Sequence, residues 1–202
     1  GYMPNGGFAW AREKLAAHLS KEQGVPLKAD QVILGCGAAG VLNAFLRAVI
    51  DPGEEMLAFA PYFVEYGFYV ANHGGSLRAV MSHKDDFRPD LAALEAAIGP
   101  KTRVVLINSP NNPTGVIYSR EDLTALAELL ENKSQEYGRP IWLVADEPYR
   151  FLAYDGVEVP SVLPLYPYAV VVSSFSKCLS LPGERVGYAA VSPRLPEAEE
   201  LM

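Results

Sequence analysis

Residues 169–177 read AVVVSSFSK, an apolar run followed by serines, a phenylalanine and a lysine. Continuous apolar residues rich in valine predict a buried strand. Lys177 comes directly after that strand, where a lysine has two interpretations. It can extend into water because the strand has ended, which is the commoner situation since lysine is rarely buried. Alternatively, it is a desolvated amine held at a strand end, as Schiff-base chemistry requires.

The rest of the chain repeats this pattern of short apolar runs, mostly alternating with segments of helical periodicity. Strands are predicted at residues 32–34, 56–60, 77–81, 103–107, 141–145, 169–173 and 186–191, and helices at 8–23, 41–50, 63–71, 91–98 and from 119 onwards. Continuously apolar strands are typical of a largely parallel sheet that helices cover on both faces. The sequence therefore predicts an α/β fold: a three-layer α/β/α domain with a seven-stranded, mostly parallel sheet.

Composition excludes several classes of function. The chain has 202 residues and a net charge of -7, and it has no basic run, which argues against a nucleic-acid surface. Cys36 and Cys178 are its only cysteines, as expected in a reducing compartment. Because no apolar run reaches membrane-spanning length and no signal-peptide pattern is present, we expect a cytoplasmic protein. The three histidines are scattered, so no metal site is predicted.

Distinctive residues follow five of the predicted strands. In sheets of this kind, ligands bind beyond the carboxyl ends of the strands. These ends carry GCGAAG at 35–40, PYF at 61–63, NSPNNPTG at 108–115, DEPY at 146–149 and SSFSK at 173–177. Glycine, aromatic, amide, carboxylate and amine groups are therefore expected to converge at one edge of the sheet, which predicts a ligand site there.

The glycine-rich stretch at 35–40 fits G-x-G-x-x-G, the pattern of dinucleotide folds. We reject that interpretation because the next strand ends in Phe59-Ala60-Pro61, without the acidic residue that binds a ribose. Free backbone N–H groups at a helix N-terminus can still bind a phosphate of any origin. The stretch can also be a small-residue turn that allows close packing.

The other motif residues also have ordinary structural explanations. Turn chemistry alone accounts for the stretch that contains Asn112, although a rigid loop could also direct its amide at a ligand. Asp146 is either a helix cap or the partner of a cation, and capping is the commoner role. Tyr149 can be a core residue. Arg185 can be a surface residue or, near a phosphate, a planar bidentate partner.

Taken together, the order and spacing of the motifs resemble the fold-type I aminotransferases, the pyridoxal-phosphate enzymes of the aspartate aminotransferase superfamily (class I/II). The motifs are NPTG at 112–115, Asp146-x-x-Tyr149, Ser174-x-x-Lys177 and Arg185 eight positions after the lysine. The resemblance extends from residue 2 to about residue 191. It implies the fold of the pyridoxal-phosphate transferases, pyridoxal 5'-phosphate as cofactor, and transamination between an L-α-amino acid and a 2-oxo acid.

The resemblance also implies catalytic roles. Lys177 would form a Schiff base with the cofactor aldehyde and then shuttle the proton. Asp146 would pair with the protonated pyridine nitrogen. Asn112 and Tyr149 would donate hydrogen bonds to the phenolic oxygen of the ring, and Phe63 would stack on the ring.

The resemblance further implies how the phosphate is bound. Six residues would hold it by backbone N–H, hydroxyl or guanidinium groups: Gly37, Ala38, Ala39, Ser174, Ser176 and Arg185. Tyr2 would reach the phosphate of a neighbouring subunit, which implies a homodimer.

Residues 1–202 would form the cofactor-binding large domain, truncated at both ends, without the N-terminal segment and the small C-terminal domain of the family. In relatives, that small domain supplies the arginine that binds the substrate α-carboxylate, so this chain assigns no substrate. Alternatives are a C–S lyase that catalyses β-elimination with the same cofactor, the ligand-sensing domain of a transcription regulator, and a cofactor-free scaffold. The intact set of Lys177, Asp146 and Arg185 argues against the scaffold.

Overall fold

The structure, a computed structural model, describes residues 1–196. Helices and strands alternate along most of the chain. In chain order, they are α1 (Ala9–Glu22), β1 (Val32–Cys36), α2 (Gly37–Val49), β2 (Glu55–Ala60), α3 (Tyr66–Ala71), β3 (Ser76–Met81), α4 (Leu91–Ala97), β4 (Thr102–Asn108), α5 (Arg120–Tyr137), β5 (Trp142–Asp146), β6 (Ala169–Ser174), α6 (Phe175–Cys178) and β7 (Val186–Val191).

The strands form one sheet in the order β1-β7-β6-β5-β4-β2-β3. Neighbours from β6 to β3 pair in parallel, whereas β7 is antiparallel to both β1 and β6. Since β1 and β6 are each antiparallel to β7, they run in the same direction. Only β7 is reversed within the described sheet, so the other six strands end at one edge, which we call the carboxyl edge. The prediction of a seven-stranded, mostly parallel sheet is confirmed.

Each face of the sheet has its own hydrophobic core. Successive strand residues point to opposite faces, so Val105 and Ile107 pack with α1, α4 and α5, whereas Val104 and Leu106 pack with α2 and α3. All four side chains are almost completely buried. Burial on both faces explains why the strands are continuously apolar in sequence, and it gives the predicted three layers.

Helix boundaries agree with the sequence at α5 and differ at the carboxyl edge. Ser119 and Asp122 form the predicted capping box of α5, and left-handed Gly138 ends that helix. In contrast, α2 begins at Gly37, four residues before the predicted start, so residues 37–39 form its first turn. The four-residue helix α6 was not predicted. Among residues 1–196, no helix has both the length and the apolar character needed to cross a membrane.

Candidate active site

A cavity of about 290 Å³ opens at the carboxyl edge of the sheet. Loops and helices that follow β1, β2, β4, β5 and β6 line it. Apart from Gly37 and Tyr2, every predicted site residue is part of its wall: Ala38, Ala39, Phe63, Asn112, Asp146, Tyr149, Ser174, Ser176, Lys177 and Arg185. The fold therefore brings together residues that are separated by up to 147 positions in the sequence.

One side of the cavity is formed by the first turn of α2 and by Arg185. Gly37 is buried with a φ of 70°, and a Cβ atom there would lie 2.6 Å from Nη2 of Arg185. Glycine is therefore needed for the close approach of the guanidinium group. The first N–H groups of a helix have no partner within that helix, and they carry partial positive charge. Together with the guanidinium group, they suit an anion with several oxygens.

The loop that carries Arg185 to the cavity has an unusual backbone. Ser180 and Arg185 have φ values of 54° and 52°, in the left-handed region that non-glycine residues rarely adopt. Nη1 of Arg185 donates a hydrogen bond to the carbonyl oxygen of Pro182 at 3.0 Å, which fixes the side chain against its own loop. Such strained conformations are concentrated at functional sites.

Asp146 lies at the floor of the cavity as the last residue of β5. No helix lies between β5 and β6, so the capping interpretation is wrong. The Tyr66 hydroxyl donates a 2.6 Å hydrogen bond to Oδ2, whereas Oδ1 is buried and has no hydrogen-bond partner among residues 1–196. Burial raises the pKa of Asp146 to about 6, and the Tyr66 hydrogen bond acts in the opposite direction. An unpartnered buried carboxylate oxygen favours a cationic donor as ligand.

Tyr66 belongs to the site although the sequence interpretation passed over it. Burial, and then the charge of Asp146, raise the pKa of Tyr66 well above its ordinary value, so its hydroxyl stays protonated and donates. Its ring packs edge-on against Phe63, with a centroid distance of 5.6 Å. The available signal was the spacing of three positions between these aromatic residues, which puts both on one side of a helical turn.

Asn108 is a second residue that was missed. As the last residue of β4, it donates from Nδ2 to the backbone oxygen of Asp146 at 2.8 Å. Its Oδ1 accepts a 2.6 Å hydrogen bond from the backbone N–H of Asn112. One buried amide therefore holds the NPTG loop against the end of β5. Its position directly after an apolar strand was the signal that could have identified it.

Lys177 lines the cavity from α6, and its side chain is exposed. Within residues 1–196 this amine is not buried, and the interpretation of Lys177 as a desolvated amine stays a prediction. Ser174 caps this helix by accepting a hydrogen bond from the N–H of Ser176. The hydroxyl hydrogen of Ser174 is not used in that bond.

Tyr2 is not brought to the cavity. Its side chain is fully exposed. Gly37 does not line the cavity itself, although the guanidinium group of Arg185 lies close to it. The role of Tyr2 toward a second subunit stays a prediction.

A mostly parallel α/β sheet with a lysine, a buried carboxylate and an arginine beside a helix N-terminus defines the fold-type I class of pyridoxal-phosphate proteins. Within that class, the family model "Aminotransferase class I and II" matches residues 1–201. The chain belongs to the class I and II aminotransferase family, as its motifs predicted. Members of this family depend on pyridoxal phosphate, which confirms the predicted cofactor at the level of the family.

Similar proteins support this membership. The chain is 34% identical to the aspartate aminotransferase of Geobacillus stearothermophilus over 94% of this chain and 48% of that protein. It is 43% identical to an aminotransferase from Eubacterium rectale of solved structure, with a TM-score of 0.96 over 100% of this chain and 51% of that one. The aspartate aminotransferase of Thermotoga maritima gives a TM-score of 0.87 at 33% identity, over 100% of this chain and 51% of that one. The chain therefore spans about half the length of the relatives it matches.

The residues present fit pyridoxal phosphate. The buried Oδ1 of Asp146 has no partner, so it would accept a hydrogen bond from a protonated ring nitrogen. The first turn of α2 and Arg185 would hold a phosphate dianion, and the space between them depends on glycine at position 37. Lys177 offers a primary amine in the same cavity.

Proposed function

We propose that the protein catalyses pyridoxal-phosphate-dependent transamination between an L-α-amino acid and a 2-oxo acid. The observation that carries this proposal is the presence, in one cavity, of Lys177 and of Asp146 with its unpartnered buried oxygen. Relatives named as aspartate or aspartate/prephenate aminotransferases support transamination over β-elimination or ligand sensing.

When bound, the cofactor supplies an aldehyde that a lysine amine can attack and a ring that accepts electrons from the substrate Cα. Nζ of Lys177 would hold the cofactor through that aldehyde, and as a free amine it would accept the proton from the substrate Cα as a general base. Asp146 would keep the ring nitrogen protonated, because an opposite charge within a few ångströms favours the charged form. Asn112 and Tyr149 would donate hydrogen bonds to the ring oxygen.

The remaining predicted residues position the cofactor. Phe63 would pack on the ring face. The phosphate would be held by the backbone N–H groups of Gly37, Ala38 and Ala39, the hydroxyl groups of Ser174 and Ser176, and the guanidinium group of Arg185. This assignment agrees with the closeness of Gly37 to Arg185. The positive charge of the helix N-terminus and of the guanidinium group compensates the phosphate charge.

We also infer that residues 1–202 are the cofactor-binding large domain of this enzyme. The matched relatives are about twice as long, and the resemblance assigns the arginine for the substrate carboxylate to their small domain. A homodimer in which exposed Tyr2 reaches the phosphate of the second subunit belongs to the same proposal, as does a cytoplasmic location.

Transamination is tested with the full-length protein, pyridoxal 5'-phosphate, a panel of L-amino acids and a 2-oxo acid acceptor. We expect formation of the new oxo acid, which Lys177→Ala abolishes because no other amine replaces Nζ. The matched control is Lys101→Ala, since Lys101 is an exposed lysine directly before β4. This substitution should leave turnover unchanged. Borohydride should attach the cofactor covalently to the control protein and not to Lys177→Ala.

Two results would overturn the proposal. Covalent attachment that persists in Lys177→Ala would show that another amine carries the cofactor. Oxo-acid and ammonia production without an acceptor would identify an elimination enzyme. A panel that includes L-aspartate also shows whether the substrate in the relatives' names applies to this protein.

A further inference from the structure

Glu147 is a buried carboxylate to which the proposed function gives no role. It follows Asp146 directly, and its side chain is only 4% exposed. Side chains of successive residues in extended backbone point to opposite faces. Accordingly, Asp146 lines the cavity with Lys177, whereas Glu147 lines a separate apolar cavity of about 650 Å³ on the other side. Glu147 therefore does not line the cavity that we assign to the cofactor.

The side chain of Glu147 joins three separate segments. Its Oε2 accepts hydrogen bonds from Nε2 of Gln23 at 2.9 Å and from Nη1 of Arg150 at 3.0 Å. Gln23 is the buried C-cap residue of α1. Arg150 also donates to the backbone oxygens of Glu22 and Val159. One carboxylate thus connects the end of α1, the turn at 147–150 and the long connection that follows it.

The backbone of Glu147 links the ends of β5 and β6. Its N–H donates to the oxygen of Val172 at 2.9 Å, and its own oxygen accepts a 3.1 Å hydrogen bond from Oγ of Ser173. Ser173 lies four positions before Lys177 on the way into α6. A shift of Glu147 would therefore change the separation of Asp146 and Lys177, the two groups on which the proposed chemistry depends.

Burial of this charge is costly. Desolvation raises the pKa of Glu147 to about 7, although Arg150 and Gln23 act in the opposite direction. A buried ion pair contributes little net stability, because desolvation of both ions offsets their attraction. Removing one member is strongly destabilising, since it leaves the other charge unpaired. The pair of Glu147 and Arg150 therefore matters here for the three segments that it connects.

We propose that Glu147 is a positioning residue for the cofactor site, acting through the backbone of the turn that carries Asp146 and Tyr149. This inference rests on the proposed function, because it concerns the same cofactor. Glu147 holds the turn by its side chain from α1 and by its backbone from β6. The turn consequently presents both residues to the cavity in one arrangement.

The chain provides a matched control at the opposite edge of the sheet. Glu54 is 9% exposed and pairs with Arg139 at 2.5 Å, directly before β2. Glu54→Leu and Glu147→Leu both remove a buried carboxylate from an arginine, so both are expected to lower thermal stability. Only Glu147 adjoins the cofactor site. Glu147→Gln keeps the size of the side chain and one acceptor oxygen.

The experiment measures binding of pyridoxal 5'-phosphate to the full-length protein by equilibrium dialysis, together with the pH midpoint of the visible absorption of the bound cofactor. Glu147→Leu should weaken binding about tenfold or more and move the midpoint. Glu147→Gln should restore both to within about threefold of the wild-type values, because it can still accept a hydrogen bond. Glu54→Leu should leave both unchanged despite its lower stability.

Equal cofactor binding and equal midpoints in the Glu147→Leu and Glu54→Leu proteins would overturn the inference, because they would reduce Glu147 to a structural residue. If Glu147→Leu does not fold, Gln23→Leu tests the inference instead, because it removes a hydrogen-bond partner of Glu147 that lies outside the turn. The same two measurements, cofactor binding and the pH midpoint, are then compared with those of Glu54→Leu. Absence of cofactor binding in the wild-type protein would instead refute the proposed function. The two failures are thus distinguished.

Discussion

The two edges of the sheet use their charged groups differently. At the amino edge, Arg139 pairs with Glu54 and donates to the oxygen of Pro100, and Arg103 donates to the oxygens of Val49 and Pro140. At the carboxyl edge, the described chain leaves one buried oxygen of Asp146 unpartnered, and strained Arg185 lies against a helix N-terminus. These three charged side chains at the amino edge are thus satisfied within the fold, whereas the carboxyl edge keeps polar groups available for a ligand.

Asp146→Asn tests this contrast with the largest expected effect. The amide cannot keep a ring nitrogen protonated, so we expect turnover to fall about 100- to 1000-fold. Steady-state kinetics of the full-length protein with saturating cofactor measures the loss. Glu54→Gln, at the other edge, should not change turnover. Near-normal turnover of Asp146→Asn would mean that the buried carboxylate is not a catalytic group.

The pH dependence of stability provides the second test. The pKa of Asp146 is about 6 when folded and about 4 when unfolded, so the folded state binds the proton more tightly. Its contribution to stability is therefore fully present below about pH 4 and is lost as the pH rises through about 6. Without cofactor, Asp146→Asn should be more stable than the wild type at pH 8 by about 1–3 kcal/mol and no more stable near pH 4.

Thermal unfolding of both cofactor-free proteins across this pH range measures the difference. Bound pyridoxal 5'-phosphate should reduce the amount by which the wild type is less stable than Asp146→Asn at pH 8, because a cation then faces the carboxylate. A stability difference that does not vary with pH would contradict the assigned cause, burial of the charged carboxylate.

Gly187→Ala probes the close contact between β7 and α2. A Cβ atom at Gly187 would lie 2.3 Å from the carbonyl carbon of Gly37 and 2.5 Å from the nitrogen of Ala38. Because these are backbone atoms, α2 must shift, and we expect a loss of about 2 kcal/mol together with weaker binding of pyridoxal 5'-phosphate. Gly183→Ala is the control, since no atom lies within 4 Å of its Cβ position. Chemical denaturation and cofactor titration would distinguish the two variants.

Tyr66→Phe should have a smaller effect on the cofactor. It removes the hydrogen bond that lowers the pKa of Asp146, so more of the carboxyl is protonated at neutral pH. We expect cofactor affinity to fall about tenfold. Tyr118→Phe changes a buried tyrosine that packs in the other core, and it should leave cofactor affinity unaltered. Equal cofactor affinities in the two variants would mean that the Tyr66 hydroxyl does not contribute to cofactor binding.

Glu54→Gln is expected to have the smallest effect. It weakens the ion pair with Arg139, which is about one-third exposed and still donates to Pro100. Solvent screening limits the expected destabilisation to about 1 kcal/mol, measured by denaturant unfolding. Cofactor affinity should not change. A substantial loss of affinity would show that the two edges are coupled more strongly than their separate hydrogen bonds indicate.

Much of this arrangement was predictable from the sequence, because strands buried on both faces are continuously apolar and the residues after them meet at one edge. The reversal of β7 was not predicted, since an apolar strand such as residues 186–191 has no sequence signal for its direction. Tyr66 was missed for a similar reason. Its partner Asp146 lies 80 positions away, and only the packing of α3 on the sheet brings the two together.

The reversal of β7 has a consequence for how the site withstands deformation. Because β6 and β7 are antiparallel neighbours, Lys177 and Arg185 both belong to the single excursion between them, at residues 175–185. Ser174 and Gly187, at the base of this excursion, are paired in the sheet. The lysine and the arginine are therefore tethered to the same two hydrogen-bonded strands. A distortion of this strand pair would therefore displace both side chains, and it would also reach Asp146, which pairs with Val172 of β6.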